Sequence, residues 1–203
     1  MGRPILVGVP LDADYKIDAR IASTLADWDL NEKVEIFFSS TNFPELGRDK
    51  IAQYAKHRIP KPSHVLFLDA DVLPRKTTLD KLLKHDRDIV MGVYPISRNG
   101  ELKWSISRAD TYKPMAIDEL PRTPFKISSG GFGIVLVKYE VFEKLDWPYW
   151  KNIFVPGDIE MGEDIYFCKK ARQAGFDIWC DPKVKCSHIR QANLLNIIKE
   201  NNK

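Results

Sequence analysis

The chain of 203 residues predicts an α/β fold, with an open, mostly parallel sheet flanked by helices and a smaller antiparallel part in the second half. Three observations carry that expectation. Strand-like and helix-like stretches alternate three times between Ile5 and Val93, the order that builds parallel strands joined by right-handed crossovers. The run Val65-Leu66-Phe67-Leu68 is apolar without alternation, which marks a strand buried on both faces. After Val93 the alternation stops, and Pro- and Gly-containing loops separate shorter elements. The first half is therefore Rossmann-like, and the length suits one domain.

The elements follow in order. Ile5 to Val9 is a strand stopped by Pro10, and Ile17, Ile21, Leu25 and Trp28 form the stripe of a first helix. Val34 to Phe38 is the second strand. Gly47 to Arg58 is a helix with Ile51, Tyr54 and Ala55 inward, broken by Pro60 and Pro62. After the Val65–Leu68 strand, Thr77-x-x-Asp80 resembles a capping box with Asp in the Glu position, opening a helix with Leu79, Leu82 and Leu83 on one face. Asp88 to Val93 is the next strand. Lys103 to Thr111 reads as one arm of a hairpin, and Pro114 to Pro124 as a loop. Ile134 to Val137 is a strand, Tyr139 to Leu145 a short helix, and Trp147 to Gly157 an aromatic loop. Asp164 to Ala174 is a helix with Gly175 as its C-cap. Phe176–Cys180 and Lys183–Ser187 form a last pair of strands, and 191–203 a terminal amphipathic helix or tail.

Composition bounds the function. Hydrophobic residues make up 44%, enough for a sizeable core, and the net charge of +3 is spread along the chain. Such a weak basic bias suits an anionic small ligand or a peripheral membrane contact and falls short of a nucleic-acid footprint. No run of about 18 apolar residues exists, so no transmembrane segment is expected. The start, Met1-Gly2-Arg3-Pro4-Ile5, carries no apolar signal core, and Leu6 stands where myristoylation wants Ser or Thr. Cys168, Cys180 and Cys186 form no C-x-x-C. Buried free thiols are expected, with a Cys180–Cys186 bridge as the alternative. A cytoplasmic protein fits these features.

Chemistry concentrates at two places. Asp69 and Asp71 follow the buried strand at i, i+2 and point the same way. In open α/β sheets ligands bind at the carboxyl ends of strands, and a divalent ion shared with substrate phosphates suits paired carboxylates. Asp pairs also start loops and cap helices, so both readings stand. Glu163 and Asp164 open a helix, where acidic residues favour the dipole, yet Asp164 can equally serve as a general base. His188 follows the last strand, as a structural residue or as a third metal ligand with Asp69 and Asp71. A Cys180/Cys186/His188 zinc site is a rival that lacks a fourth ligand. Gly130-Gly131-Phe132-Gly133 permits close approach of a ligand or a tight bend. Trp147, Tyr149 and Trp150 can stack on a sugar or cap the core.

The order of these pieces resembles the GT-A fold glycosyltransferases, especially the family 2-like enzymes. Leu66-Phe67-Leu68-Asp69-Ala70-Asp71 looks like their strand and DxD motif. Ser129 to Gly133 followed by Lys138 to Phe142 is similar to their acceptor segment. Gly162 to Cys168, Ala174 to Ile178 and His188 resemble the later motifs, and the likeness spans residues 4 to 190. It implies a nucleotide-binding half at 1–97 and an acceptor-binding half at 98–190 of a single domain. Mn²⁺ or Mg²⁺ and a nucleotide-diphosphate sugar are implied, with a glycan, lipid or protein as acceptor. Asp71 would ligate the metal with His188 assisting, and Asp69 would contact ribose and the metal shell. Pro10, Asp12 and Arg48 would flank the nucleotide, and the acceptor would enter between Gly131 and the Trp147–Trp150 loop. Asp164, beside Glu163, would be the base of an inverting transfer; in a retaining one it would position the acceptor. Strand two ends Phe37-Phe38-Ser39-Ser40, where many members carry an Asp that reads uracil, so the nucleotide stays open.

Two rival functions accompany this reading. A sugar-nucleotide nucleotidyltransferase would want a Gly-rich basic loop after the first strand, where Pro10-Leu11-Asp12-Ala13-Asp14 is acidic. A carbohydrate- or nucleotide-binding module has little need of a candidate base.

Overall fold

The computed structural model describes residues 3–12, 14, 16–31, 34–98, 100–108 and 112–190, so the expected terminal helix or tail lies outside the described residues. The first half holds β1 (Ile5–Leu11), α1 (Ala19–Asn31), β2 (Val34–Ser40), α2 (Pro44–His57), β3 (His64–Leu68), β4 (Val72–Leu73), α3 (Thr78–Leu83) and β5 (Ile89–Val93). The second half holds β6 (Pro95–Arg98), β7 (Glu101–Trp104), β8 (Ile106–Ser107), a 3₁₀ turn (Ile117–Glu119), β9 (Phe125–Ile127), β10 (Ser129–Gly130), β11 (Ile134–Lys138), α4 (Tyr139–Lys144), β12 (Ile153–Val155), β13 (Asp158–Met161), α5 (Glu163–Gln173), β14 (Ile178–Lys185) and β15 (Ser187–His188).

Seven strands form the central sheet in the order β2-β1-β3-β11-β5-β14-β9. Layers of side chains cover both faces. Along β3, Val65 and Phe67 enter one core with Ile51, Phe132, Phe142, Trp150 and Phe167. Leu66 and Leu68 enter the other with Ile21, Leu25, Trp28, Leu79 and Leu82. The unbroken apolar run is thus a strand buried on both sides, as its composition demands.

The sheet is mixed where mostly parallel pairing was expected. Three of its six pairings are parallel (β1 with β2, β1 with β3, β5 with β14) and three antiparallel (β11 with β3 and β5, β14 with β9). The difference has one main source. The connection from β3 to β5 leaves a gap one strand wide, and β11 fills it from the second half of the chain. Ile134 pairs with Leu68 and Lys138 with His64, so β11 starts at the carboxyl edge of β3 and runs back along it. Its preceding loop, 131–133, is therefore delivered to that edge.

Other boundaries moved for local reasons. Strand β1 runs past Pro10 to Leu11, because beyond Gly8 it pairs with β2 alone and a proline on an open side loses no ladder bond. Helix α2 starts at Pro44, which suits the first helical position. The Thr77–Asp80 capping box does not form: Thr77 makes no side-chain cap, and buried Thr78 instead accepts the Arg75 N–H at 3.0 Å. The last two strands are one strand, β14, with a register shift between Cys180 and Lys185. The end of the aromatic loop forms β12, which pairs with β13 beyond Gly157 in a hairpin. All three cysteines are buried and free.

Helix α2 lies directly on β1. A Cβ added at Gly8 would stand 2.3 Å from Ile51 Cγ2. Gly8→Ala is expected to cost about 1–3 kcal/mol of stability by overpacking, measured by chemical denaturation; an unchanged midpoint would contradict this contact.

Candidate functional site

Five segments converge at the carboxyl edge of β3. Asp69 and Asp71 follow the strand. The 131–133 loop meets them, with the Asp69 N–H donated to the Gly133 carbonyl at 3.1 Å. Strand β15 pairs with β4, setting His188 opposite Val72, and the Ile189 N–H is donated to the Asp71 carbonyl at 2.8 Å. Helix α5 begins there with Glu163 and Asp164, and α2 contributes Arg48.

Arg48 is the hub, at 3% exposure. Its Nη2 donates to Asp69 Oδ1 at 3.1 Å, and its Nη1 donates to Glu163 Oε1 at 2.9 Å. Nη1 also stands 3.1 Å from Asp164 Oδ1, an ionic contact without hydrogen-bond geometry, since Oδ1 has no hydrogen-bond partner. Burial opposes charge on Arg48, yet Asp164, Asp69 and Glu163 outweigh it and raise its pKa further. One guanidinium against three carboxylates leaves an excess of negative charge. Asp164 absorbs it: burial first, then Glu163 and Asp69, raise its pKa to about 7, while Arg48 and the Phe132 N–H oppose the rise. That N–H is donated to Asp164 Oδ2 at 3.2 Å. Arg48, expected to flank a nucleotide base, has both terminal nitrogens committed to acids.

Asp71 and His188 form a separate pair, with Asp71 Oδ2 and His188 Nε2 3.2 Å apart. The His188 Nδ1 lies 2.8 Å from the Pro95 carbonyl, which can only accept, so Nδ1 carries a proton. A ring N–H held by a backbone carbonyl is the support usual for metal-ligating histidine, and it leaves Nε2 facing the Asp71 carboxylate. The 3.2 Å separation suits neighbouring ligands on a small divalent ion, which stand about 3 Å apart for bonds near 2.1 Å. The carboxylate is open to solvent, its side chain 43% exposed, so substrate oxygens could complete the shell. The pair fits such an ion. The expected trio does not form: among the described residues no three His, Cys, Asp or Glu side chains are grouped to hold a metal. Arg48 holds Asp69 at both oxygens, 3.1 and 3.4 Å. The cysteine zinc site does not form either.

Two clefts meet at this cluster. One, of about 580 Å³, is lined by Pro10, Asp12, Asn42, Arg48, Asp69 and Asp71 among others. The second, of about 260 Å³, is lined by Tyr94, Ser105, Tyr112, Gly131, Glu163 and Asp164 among others. The Trp147–Trp150 loop does not wall it, contrary to expectation. Tyr149 and Trp150 are core residues, with Trp150 stacked on Phe167 at 4.8 Å. Only Trp147 is exposed. Asp49 of α2 lies under this loop: burial raises its pKa to about 6, while the nearby Tyr149 and Trp150 N–H groups and the Trp147 side chain oppose the rise. Sequence reasoning missed Tyr94, because an aromatic residue between a strand and a proline carries no signal of its own.

No protein-family model matches the chain, and no curated protein sequence matches it. Solved structures do. The STIV protein A197 matches at a TM-score of 0.65 with 18% identity, covering 93% of this chain and 86% of that one. GalNAc-T7, crystallised with UDP, GalNAc and Mn²⁺, matches at 0.57 with 15% identity over 94% of this chain and 44% of its own. The catalytic domain of Drosophila β1,4-galactosyltransferase 7, in complex with xylobiose, matches at 0.56 with 16% identity over 94% and 72%. At these identities the likeness defines the fold: a mixed α/β domain of the GT-A type, the fold these glycosyltransferases share. This chain spans less than half of the GalNAc-T7 chain it matches.

Arg48→Met is expected to destabilise the fold by about 2–4 kcal/mol, because it strands three partly buried carboxylates. The deficit should shrink as pH falls from 8 to 5. Asp164 already holds a raised pKa, and stranded acids bind protons more readily folded than unfolded. Denaturation at several pH values measures it; a deficit independent of pH would argue against the ionic account.

Proposed function

We propose that this chain is a metal-dependent glycosyltransferase that moves a sugar from a nucleotide-diphosphate donor to an acceptor hydroxyl. The observation that carries the reading is Asp71, backed by His188, lining one cleft and Asp164 lining the next, with Arg48 against Asp69 and Asp164, on a glycosyltransferase-type fold. The larger cleft takes the donor. Pro10, Asp12 and Asn42 line it together with Asp69 and Asp71; the nucleoside belongs beside the first three and the diphosphate beside the two acids. Asp71 and His188 would hold Mn²⁺ or Mg²⁺, which supplies charge neutralisation for the diphosphate leaving group.

The smaller cleft takes the acceptor. Asp164 faces it with a carboxyl whose pKa lies at about 7. A base is most effective with a pKa near the working pH. Ionised Asp164 accepts the acceptor's hydroxyl proton while the oxygen attacks the sugar carbon, and the anomeric centre inverts. Glu163 serves this indirectly, anchoring Arg48 and raising the Asp164 pKa. Arg48 keeps the carboxylates together at a fixed spacing. The acceptor is a glycan, or a lipid or protein that presents a hydroxyl. No described helix is long and apolar enough to cross a membrane.

Three outcomes follow. A thermal-shift screen of nucleotide-sugars should find one that stabilises the protein only with Mn²⁺ or Mg²⁺ present. Asp71→Ala should abolish that metal-dependent shift and the transfer; full activity in the variant would end the assignment. Transfer should rise with pH through about 7 as Asp164 ionises, and Asp164→Asn should remove both the rise and about 10²–10⁴ of the rate. A flat wild-type profile with an active Asp164→Asn variant would exclude it as base.

A further inference from the structure

Tyr94 stands directly after β5 and is buried. Its hydroxyl accepts the Gly133 N–H at 3.2 Å. The Gly133 carbonyl takes the Asp69 N–H at 3.1 Å, and the neighbouring Phe132 N–H goes to Asp164 at 3.2 Å. The short 131–133 loop therefore touches an acid of each cleft, and Tyr94 is what that loop rests on. The other side of the same ring system meets His188, edge to face, with centroids 5.1 Å apart and planes at 79°. His188 is in turn bonded to the carbonyl of Pro95, the residue after Tyr94.

The glycines record the same contact. A Cβ on Gly131 would stand 2.2 Å from the Tyr94 hydroxyl oxygen and 3.3 Å from the ring carbon that bears it. A Cβ on Gly133 would stand 2.7 Å from two ring carbons. Gly131 and Gly133 make room for the tyrosine that follows β5, which accounts for the glycines without a ligand.

We infer that Tyr94 is a positioning residue: it sets the 131–133 loop, and through it Asp69 and Asp164, at a fixed offset from His188 and Asp71. Its hydroxyl fixes the loop at Gly133, so that the adjoining Phe132 N–H reaches Asp164 on the acceptor side, and its ring meets His188 on the donor side. The purpose of that offset rests on the glycosyltransferase reading, whereas the contacts themselves do not.

The two halves of the residue separate by substitution. Tyr94→Phe keeps the ring on His188 and releases Gly133. It should lower kcat by about ten- to a hundredfold through misplacement of Asp164, with the donor KM unchanged. Affinity for Mn²⁺ alone, read by electron paramagnetic resonance, should also stay unchanged in Tyr94→Phe and fall by about tenfold in Tyr94→Leu. Gly131→Ala should lower the melting temperature and the transfer rate in the wild-type background, because its methyl overlaps the hydroxyl. In the Tyr94→Phe background the 2.2 Å overlap is gone and the same change meets the ring carbon at 3.3 Å and Asp164 Oδ2 at 3.7 Å, so the double variant should melt several degrees above the sum of the single losses. Additive melting losses, or a Tyr94→Phe variant with wild-type kcat, would overturn the inference. A wild-type protein that neither binds Mn²⁺ nor transfers sugar would instead sink the glycosyltransferase reading, and the melting cycle would still decide whether Tyr94 and Gly131 share one space.

Discussion

A buried guanidinium among three carboxylates governs the architecture of this site. Arg48 comes from α2, Asp69 from the end of β3, and Glu163 and Asp164 from the start of α5. Removing such a group from water is costly, and only close, multiple partners offset the loss. The cluster therefore holds only if all three elements arrive together. That requirement ties the helix packed on β1, at the Gly8–Ile51 contact, to the far half of the chain.

The excess of negative charge in the cluster gives the site its chemistry. Asp164 is pushed toward neutrality by its neighbours and its burial, which matches a group that exchanges protons near pH 7. Asp71 escapes Arg48 and stays open to solvent beside His188. The two acids of the Asp-x-Asp motif thus have different surroundings: Asp69 is bonded to buried Arg48, whereas Asp71 lies beside His188 and 3.7 Å from the exposed Arg190 guanidinium. The physical distinction is burial: Arg48 reaches the first and not the second.

Much of the first half was legible in the chain. The Val65–Leu68 run announced a strand covered on both faces, and the carboxylates after it were bound to stand at a sheet edge. The stripes of α1 and α2 were equally plain, because periodic burial leaves periodic composition. The second half resisted for an equally physical reason. The position of β11 between β3 and β5 depends on which gap in the sheet remains unfilled, and no local pattern in Ile134–Lys138 records it. The aromatic residues Tyr149 and Trp150 read as a sugar platform or as core, and only their packing on Phe142 and Phe167 chooses the core. The Thr77 cap failed because the next residue, Thr78, took over the turn.

The sequence by itself determined the chemistry on offer: two acids after a buried strand, two more at a helix start, a late histidine, and glycines able to accept a close neighbour. Residue type and spacing along the chain are enough for that. Only the tertiary structure decided who meets whom. It gave Asp69 to Arg48, joined His188 to Asp71 through the pairing of β15 with β4, and filled the space over Gly131 and Gly133 with Tyr94. Those are contacts between residues far apart in the chain, set by sheet order and by competition for one buried cation, and neither quantity is written in any local stretch of residues.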